Sequence, residues 1–157
     1  FKAKVDENFV VVSPDIGSVA RARKVASRMD AQMAIIDKRR PKANVMEVMN
    51  IIGDVKGKNC LMVDDMIDTA GTIVQGAKAL KEAGAKAIYA CCSHGVLSGP
   101  AIERLASSPI NELAILDTIN IPEEKMLPIF KIISTAQIFA SAIENVYLDK
   151  SMSKIYD

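Results

Sequence analysis

An apolar run that ends in two adjacent carboxylates and then in a turn of small, hydroxylated residues leaves few folds open to this chain. That stretch is Cys60-Leu-Met-Val-Asp-Asp-Met-Ile-Asp-Thr-Ala-Gly-Thr72. Leu61, Met62 and Val63 follow Gly57 and the polar pair Lys58-Asn59, and a short apolar run bounded by turn signals suits a strand buried on both faces. Beyond the turn, Ile73, Val74, Ala77 and Leu80 share one helical face, with Gln75, Lys78 and Lys81 opposite and Gly84 as the expected stop. The unit is strand, loop, helix.

In an open parallel sheet, ligands bind at the loops beyond the carboxyl ends of strands, and the free amides of a helix N-terminus favour an anion there. Thr69, Ala70, Gly71 and Thr72 let backbone N–H groups and two hydroxyls approach phosphate oxygens without obstruction. Asp64, Asp65 and Asp68 would repel a bare phosphate, whereas ionised carboxylates accept hydrogen bonds strongly from sugar hydroxyls. A ligand that wants both features carries phosphate at one end and hydroxyls at the other. Ribose 5-phosphate fits that division.

The remaining pattern repeats the alternation. Phe9–Ser13 is a buried-type strand, and after Ser13-Pro-Asp-Ile-Gly17 a helix places Val19, Ala22, Val25, Ala26 and Met29 on one face and Arg21, Arg23, Lys24 and Arg28 on the other. Asp15, at this second strand terminus, is either a helix-entry cap or a magnesium ligand, since that hard cation takes carboxylate oxygens beside bound phosphates. Met33–Ile36 is a strand, and Asp37-Lys-Arg-Arg-Pro-Lys-Ala-Asn44 a basic loop, either simply solvated or folded over an anionic ligand. Val45, Val48, Met49, Ile51 and Ile52 predict a short helix or a turn. Strands follow at Ala87–Cys92, Glu112–Thr118 and Phe130–Ile133, with helices at Ala101–Ala106 and through Ile138, Phe139, Ala142, Ile143 and Val146. The only histidine, His94, lies in the loop Ser93–Pro100 and either supports the site through its neighbours or takes part in catalysis. Strands alternating with helices, without an internal repeat, predict an α/β fold: a doubly wound, mostly parallel sheet flanked by helices.

At 157 residues, half of them hydrophobic, the chain is a single domain able to bury a good core. Twenty basic residues against nineteen acidic leave a net charge of +1, which argues against a nucleic-acid footprint or a polybasic membrane surface. Cys60, Cys91 and Cys92 are odd in number, apolar in setting and without CxxC spacing, so neither a disulfide framework nor a zinc site is expected, and a reducing cytoplasm is. No run approaches the roughly 18 apolar residues of a membrane span, and no signal-peptide plan is present. The chain starts at Phe1 without Met and enters its first strand abruptly, so it is expected to be a piece of a longer polypeptide.

Four separated segments, in order over roughly residues 9–157, resemble one family. Val63–Thr72 is similar to the ribose-phosphate loop shared by phosphoribosyltransferases and the ribose-phosphate pyrophosphokinase family; Val12-Ser-Pro-Asp-Ile-Gly17 resembles that family's metal and ribose-phosphate segment; Asp37-Lys-Arg-Arg-Pro41 is close to its mobile catalytic loop. The tail Lys150–Asp157 resembles its C-terminal Ser-x-Ser segment. The resemblance implies a type I phosphoribosyltransferase-like fold and transfer of the diphosphoryl group of ATP to the 1-hydroxyl of ribose 5-phosphate, with Mg2+, giving 5-phosphoribosyl 1-pyrophosphate and AMP. It assigns Lys38 and Arg40 to catalysis, Arg40 also to substrate, Asp64 and Asp65 to the ribose hydroxyls, Asp68, Thr69, Ala70, Gly71 and Thr72 to the 5-phosphate, Asp15 to the metal, and Ser151 and Ser153 to a regulatory site that is, from sequence alone, equally an exposed polar tail. It also implies a homo-oligomer, the family's hexamer. Two departures stand out. Ala70 replaces a common Gly, which matters if the position needs a positive φ. The family's N-terminal half, with its ATP-binding residues and one metal histidine, is absent, so residues 1–157 are expected to be the C-terminal ribose-phosphate domain, without turnover alone. A phosphoribosyltransferase should carry a base-recognition hood, and none is found; a non-catalytic regulatory relative should have lost the Lys-Arg-Arg loop, and a stand-alone phosphoribosyl-binding domain remains open. No Walker sequence occurs, which excludes a P-loop ATPase.

Overall fold

The computed structural model describes Phe1, residues 6–39 and residues 48–155. Its elements in chain order are β1 (Phe9–Ser13), α1 (Val19–Met29), β2 (Gln32–Arg39), β3 (Val48–Ile52), β4 (Asn59–Val63), β5 (Met66–Ile67), α2 (Gly71–Glu82), β6 (Ala87–Cys92), β7 (His94–Gly95), α3 (Ala101–Ala106), β8 (Glu112–Leu116), β9 (Phe130–Ile133) and α4 (Ala136–Tyr147). Seven strands form one sheet in the order β3-β2-β1-β4-β6-β8-β9. Every pairing in it is parallel except β2 with β3. The doubly wound, mostly parallel α/β sheet read from the sequence is therefore the fold observed.

Strand order decides where a ligand belongs. From β1 the chain passes through α1 to β2 on one side, then returns through β3 to place β4 on β1's other side, in register Val12↔Met62. The connections leaving the carboxyl ends of β1 and β4 therefore diverge, and a crevice opens between them at this switch point. The Asp15 segment and the Asp64 segment are the two connections that flank it.

Both faces of the central strands are buried, as their unbroken apolar runs require. On one face Val10, Val12, Cys60, Met62, Ile88, Ala90, Leu113 and Ile115 pack with Ile73, Val74, Ala77 and Leu80 of α2 and with Leu105 of α3. On the other, Phe9, Val11, Leu61 and Val63 pack with Ala22 and Ala26 of α1. α2 begins after Ala70 and stops where Gly84 takes φ +86°, a turn that glycine adopts without strain.

Several expectations change. The region read as a short helix or turn forms strand β3 from Val48, because the free edge of β2 offers a row of backbone partners: Ile35↔Ile52, Asp37↔Asn50 and Arg39↔Val48. For the same reason Asp37, Lys38 and Arg39, read as loop, extend β2. His94–Gly95 pairs in parallel with Met66–Ile67, so the loop after β6 contains a two-residue strand. β8 ends at Leu116, before the predicted Asp117-Thr118. Among the described residues no helix is long and apolar enough to cross a membrane.

Candidate functional site

At the switch point a pocket of about 160 Å³ is lined by Asp15, Asp64, Met66, Ile67, Asp68, Thr69, Ala70, Gly71, Thr72 and Ile73. It collects acids and small loop residues that are far apart in sequence because β1 and β4 are adjacent in the sheet. A larger groove, about 660 Å³, runs between β3 and α2, but Met49, Ile51, Ala79 and Ala83 with Gln75, Lys78 and Glu82 bring no converging chemistry to it.

The acidic loop is held by its neighbour. The Asp64 N–H donates to the Cys91 carbonyl at 3.0 Å, and the Ser93 and His94 N–H groups donate to the Asp65 carbonyl at 2.9 Å each. The Leu97 and Ser98 N–H groups donate to the carbonyls of Ile67 and Asp68 at 3.0 Å, and the Ser98 hydroxyl donates to the Asp68 carboxylate. From α3, Arg104 donates to the Thr69 carbonyl at 2.9 Å. The loop is thus fixed by backbone pairing on one flank and by a guanidinium on the other.

Ala70 occupies the left-handed region, φ +59°, ψ +9°, and is buried. This position therefore does need a positive φ, and this chain bears it with an alanine. No side chain caps the first turn of α2, so its leading N–H groups are open toward the pocket, as anion binding demands.

The carboxylates are not equivalent. Burial raises the Asp64 carboxyl above its usual range; the Asp65 N–H opposes this, and the charges of Asp65 and Asp15 reinforce it. Asp65 is more than half exposed, and against the upward push of burial the Met66 N–H and the Arg21 guanidinium hold it below the usual range. Asp64 lines the pocket and Asp65 does not. Asp15 accepts the Ser18 N–H at 2.8 Å, which is the helix-entry contact read from the sequence, and it also lines the pocket.

Arg21 is the residue that periodicity missed. Assigned to the polar face of α1, it reaches Asp64 at 3.1 Å and Asp65 at 2.7 Å. Its distance from both acids in sequence left no local signal. His94 turns to Thr118, with Nδ1 and Oγ1 2.8 Å apart; since the Thr118 hydroxyl donates to the Ser93 carbonyl at 2.7 Å, Nδ1 is the donor in the first bond. It supports the loop through its neighbours. Burial pushes Cys60 and Cys91 up to about 11 and Cys92 to about 12, which keeps these thiols protonated and inert.

Lys38 lies in β2, and Arg40 lies outside the described residues. Ser151 and Ser153 follow α4, with their hydroxyls 2.8 Å apart and the Ser151 carbonyl accepting from Asn145 at 3.2 Å; neither lines the pocket. Among the described residues no three His, Cys, Asp or Glu side chains form a metal cage. Magnesium does not need one, because it keeps several waters and binds through one or two carboxylates plus substrate phosphates.

Fold and loop together define a class, the doubly wound α/β domains whose ligand loop follows a switch-point strand. Comparison with known proteins narrows it. The profile of the phosphoribosyl synthetase-associated domain matches residues 38–157, and the chain belongs to that family. It is 60% identical over 150 residues to a ribose-phosphate pyrophosphokinase of Clostridium perfringens, covering 96% of this chain and 47% of that protein. It is 57% identical over 157 residues to a ribose-phosphate pyrophosphokinase of Bacillus caldolyticus, covering 100% of this chain and 50% of the relative. The crystal structure of phosphoribosylpyrophosphate synthetase from Mycobacterium smegmatis superposes with a TM-score of 0.84 at 41% identity, over 92% of this chain and 46% of that one. The chain spans about half the length of the curated relatives it matches.

Proposed function

We propose that this chain is the ribose-5-phosphate-binding domain of a ribose-phosphate pyrophosphokinase, which transfers a diphosphoryl group from ATP to ribose 5-phosphate. The observation that carries the proposal is the switch-point pocket, where the open amides of α2 and the carboxylates of Asp15, Asp64 and Asp68 lie in one crevice, in a chain of the phosphoribosyl synthetase-associated domain family. In this reading the N–H groups and hydroxyls of Asp68, Thr69, Ala70, Gly71 and Thr72 bind the 5-phosphate, and the Asp64–Asp65 pair serves the ribose hydroxyls, with Asp64 as the acceptor that lines the pocket and Asp65 beside it.

The 1-hydroxyl oxygen of ribose 5-phosphate bonds to the β-phosphorus of ATP as the bond from that phosphorus to the α,β-bridging oxygen breaks. AMP leaves with the bridging oxygen and the hydroxyl proton is lost to solvent. Lys38 and Arg40 stabilise charge on the transferred group, Lys as a point charge and Arg as a bidentate fork. Asp15 holds the cation side of the site, where Mg2+ would screen the phosphate charges. The nucleotide comes from a second half outside this chain, the working unit is a homo-oligomer, the family's hexamer, in the cytoplasm, and the hydroxyls of Ser151 and Ser153 serve a regulatory anion site.

The test compares two samples. The 157-residue chain should bind ribose 5-phosphate in calorimetry, lose that binding in Asp64→Ala and release no AMP, whereas a polypeptide carrying the nucleotide half as well should release AMP only with ribose 5-phosphate present. AMP release by the 157-residue chain alone, or no ribose 5-phosphate binding by either sample, overturns the proposal.

A further inference from the structure

Arg21 joins the two loops of the switch point. From α1 its Nη1 donates to Asp64 Oδ1 at 3.1 Å and to Ser18 Oγ at 3.3 Å, while Nη2 donates to Asp65 Oδ2 at 2.7 Å. Ser18 extends the chain of contacts: its N–H donates to Asp15 Oδ1 at 2.8 Å and its hydroxyl to Asp64 Oδ1 at 3.4 Å. The Asp65 N–H also donates to Asp64 Oδ1, at 2.9 Å.

Among the described residues, guanidinium, hydroxyl and amide donors therefore converge on one oxygen of Asp64. Three donors from different directions fix the rotation of the carboxylate and leave Oδ2 as the oxygen for a ligand. On Asp65 both oxygens are engaged, Oδ2 by Arg21 and Oδ1 by the Met66 N–H at 2.9 Å. Only a planar fork spans two carboxylates in this way; an ammonium meets them as a point charge. Arg21 is itself absent from the pocket lining, so whatever it does for a ligand it does through Asp64.

We propose that Arg21 is a positioning residue for sugar recognition, a clamp across the acid pair that presents Asp64 Oδ2 to the ribose hydroxyls, the 2-hydroxyl among them, and so sets the preference for ribose over deoxyribose phosphates. This rests on the functional reading above. Without the clamp, Asp64 rotates among several arrangements, and the hydroxyl that it recognises loses its fixed acceptor.

The test uses the enzyme that carries both halves, with ribose 5-phosphate and 2-deoxyribose 5-phosphate as alternative substrates. Arg21→Met should raise KM for ribose 5-phosphate by about tenfold to a hundredfold, with kcat and KM for ATP changed less than about threefold. The preference for ribose over deoxyribose phosphate should fall by about tenfold. Arg21→Lys should recover part of that preference and not all of it. A variant preference equal to that of the unmodified enzyme, or full recovery in Arg21→Lys, overturns the inference. If Arg21→Met fails to fold by circular dichroism, Arg21→Lys decides on the same ratio. An unmodified enzyme that does not use ribose 5-phosphate overturns the functional reading itself, a result seen before any variant is made.

Discussion

α2 and α4 are both twelve residues long and both amphipathic, yet the fold treats them in opposite ways. α2 buries Ile73, Val74, Gly76, Ala77 and Leu80 against the sheet and leaves its N-terminal amides uncapped over the pocket. α4 buries none of its side chains, and Ile138, Phe139, Ile143 and Val146 are all more than half exposed. Its start is fastened instead: Asp117, just beyond β8, accepts the Thr135 N–H at 2.7 Å and the Thr135 hydroxyl at 2.6 Å. One helix is held along its side and open at its tip; the other is held at its tip and open along its side. An apolar stripe therefore identifies a helix without saying what covers it, and the stability of the two should differ accordingly.

The largest expected effect tests that difference directly. Leu80 is fully buried, so Leu80→Ala should cost about 2 to 5 kcal/mol, through lost burial and the cavity left behind. Ile143→Ala, at 69% exposure in α4, should stay within about 0.5 kcal/mol. Urea unfolding of the 157-residue chain measures both. Equal losses would break the comparison, because they would mean that α4 is packed as tightly as α2.

The same contrast explains what could be read from the sequence. The β4-loop-α2 unit was legible because all its signals are local: an apolar run, a turn of small residues, and a helical face that matches the strand before it. α4 was legible as a helix for the same reason, but its cover was not, since periodicity records only a helix's own stripe. β3 was misread because Val45, Val48, Met49 and Ile52 fall at helical spacing, and the edge of β2 that pairs with Val48–Ile52 is a tertiary fact. The acids of the pocket were legible at strand ends, whereas Arg21 was not. A helical pattern shows which face is polar, but not that this face passes beside the end of a strand more than forty residues later.

At α2's open tip, Thr72 should serve a ligand and not the fold. It is exposed in the first turn and lines the pocket. Thr72→Val, which keeps the shape and removes the hydroxyl, should weaken ribose 5-phosphate binding by about tenfold while stability stays within about 0.5 kcal/mol. Calorimetry and urea unfolding on the same sample separate the two effects. A smaller effect, this time a gain, is expected two residues earlier. Ala70→Gly relieves the left-handed backbone at φ +59°, less the entropy that glycine loses on folding, and should stabilise the chain by about 0.5 to 1 kcal/mol. A loss of stability there would show that the buried methyl group outweighs the strain.

The smallest effect belongs to the fastened tip of α4. The Thr135 hydroxyl and N–H hold the Asp117 carboxyl below its usual range. A folded-state pKa below the unfolded value means that the unfolded chain binds the proton more readily, so the contact contributes stability above the unfolded pKa, about 3.9, and loses it as pH falls through the lower folded value. Asp117 is fully exposed to the solvent that screens it, so the change should be local rather than global. Hydrogen exchange should show α4 amides losing protection below about pH 4 while those of α2 keep theirs. Asp117→Ala should give the same unfastened α4 at neutral pH and remove the pH dependence. If α2 and α4 instead lose protection together, the helix is coupled to the core along its length, and the exposed stripe is not what distinguishes it.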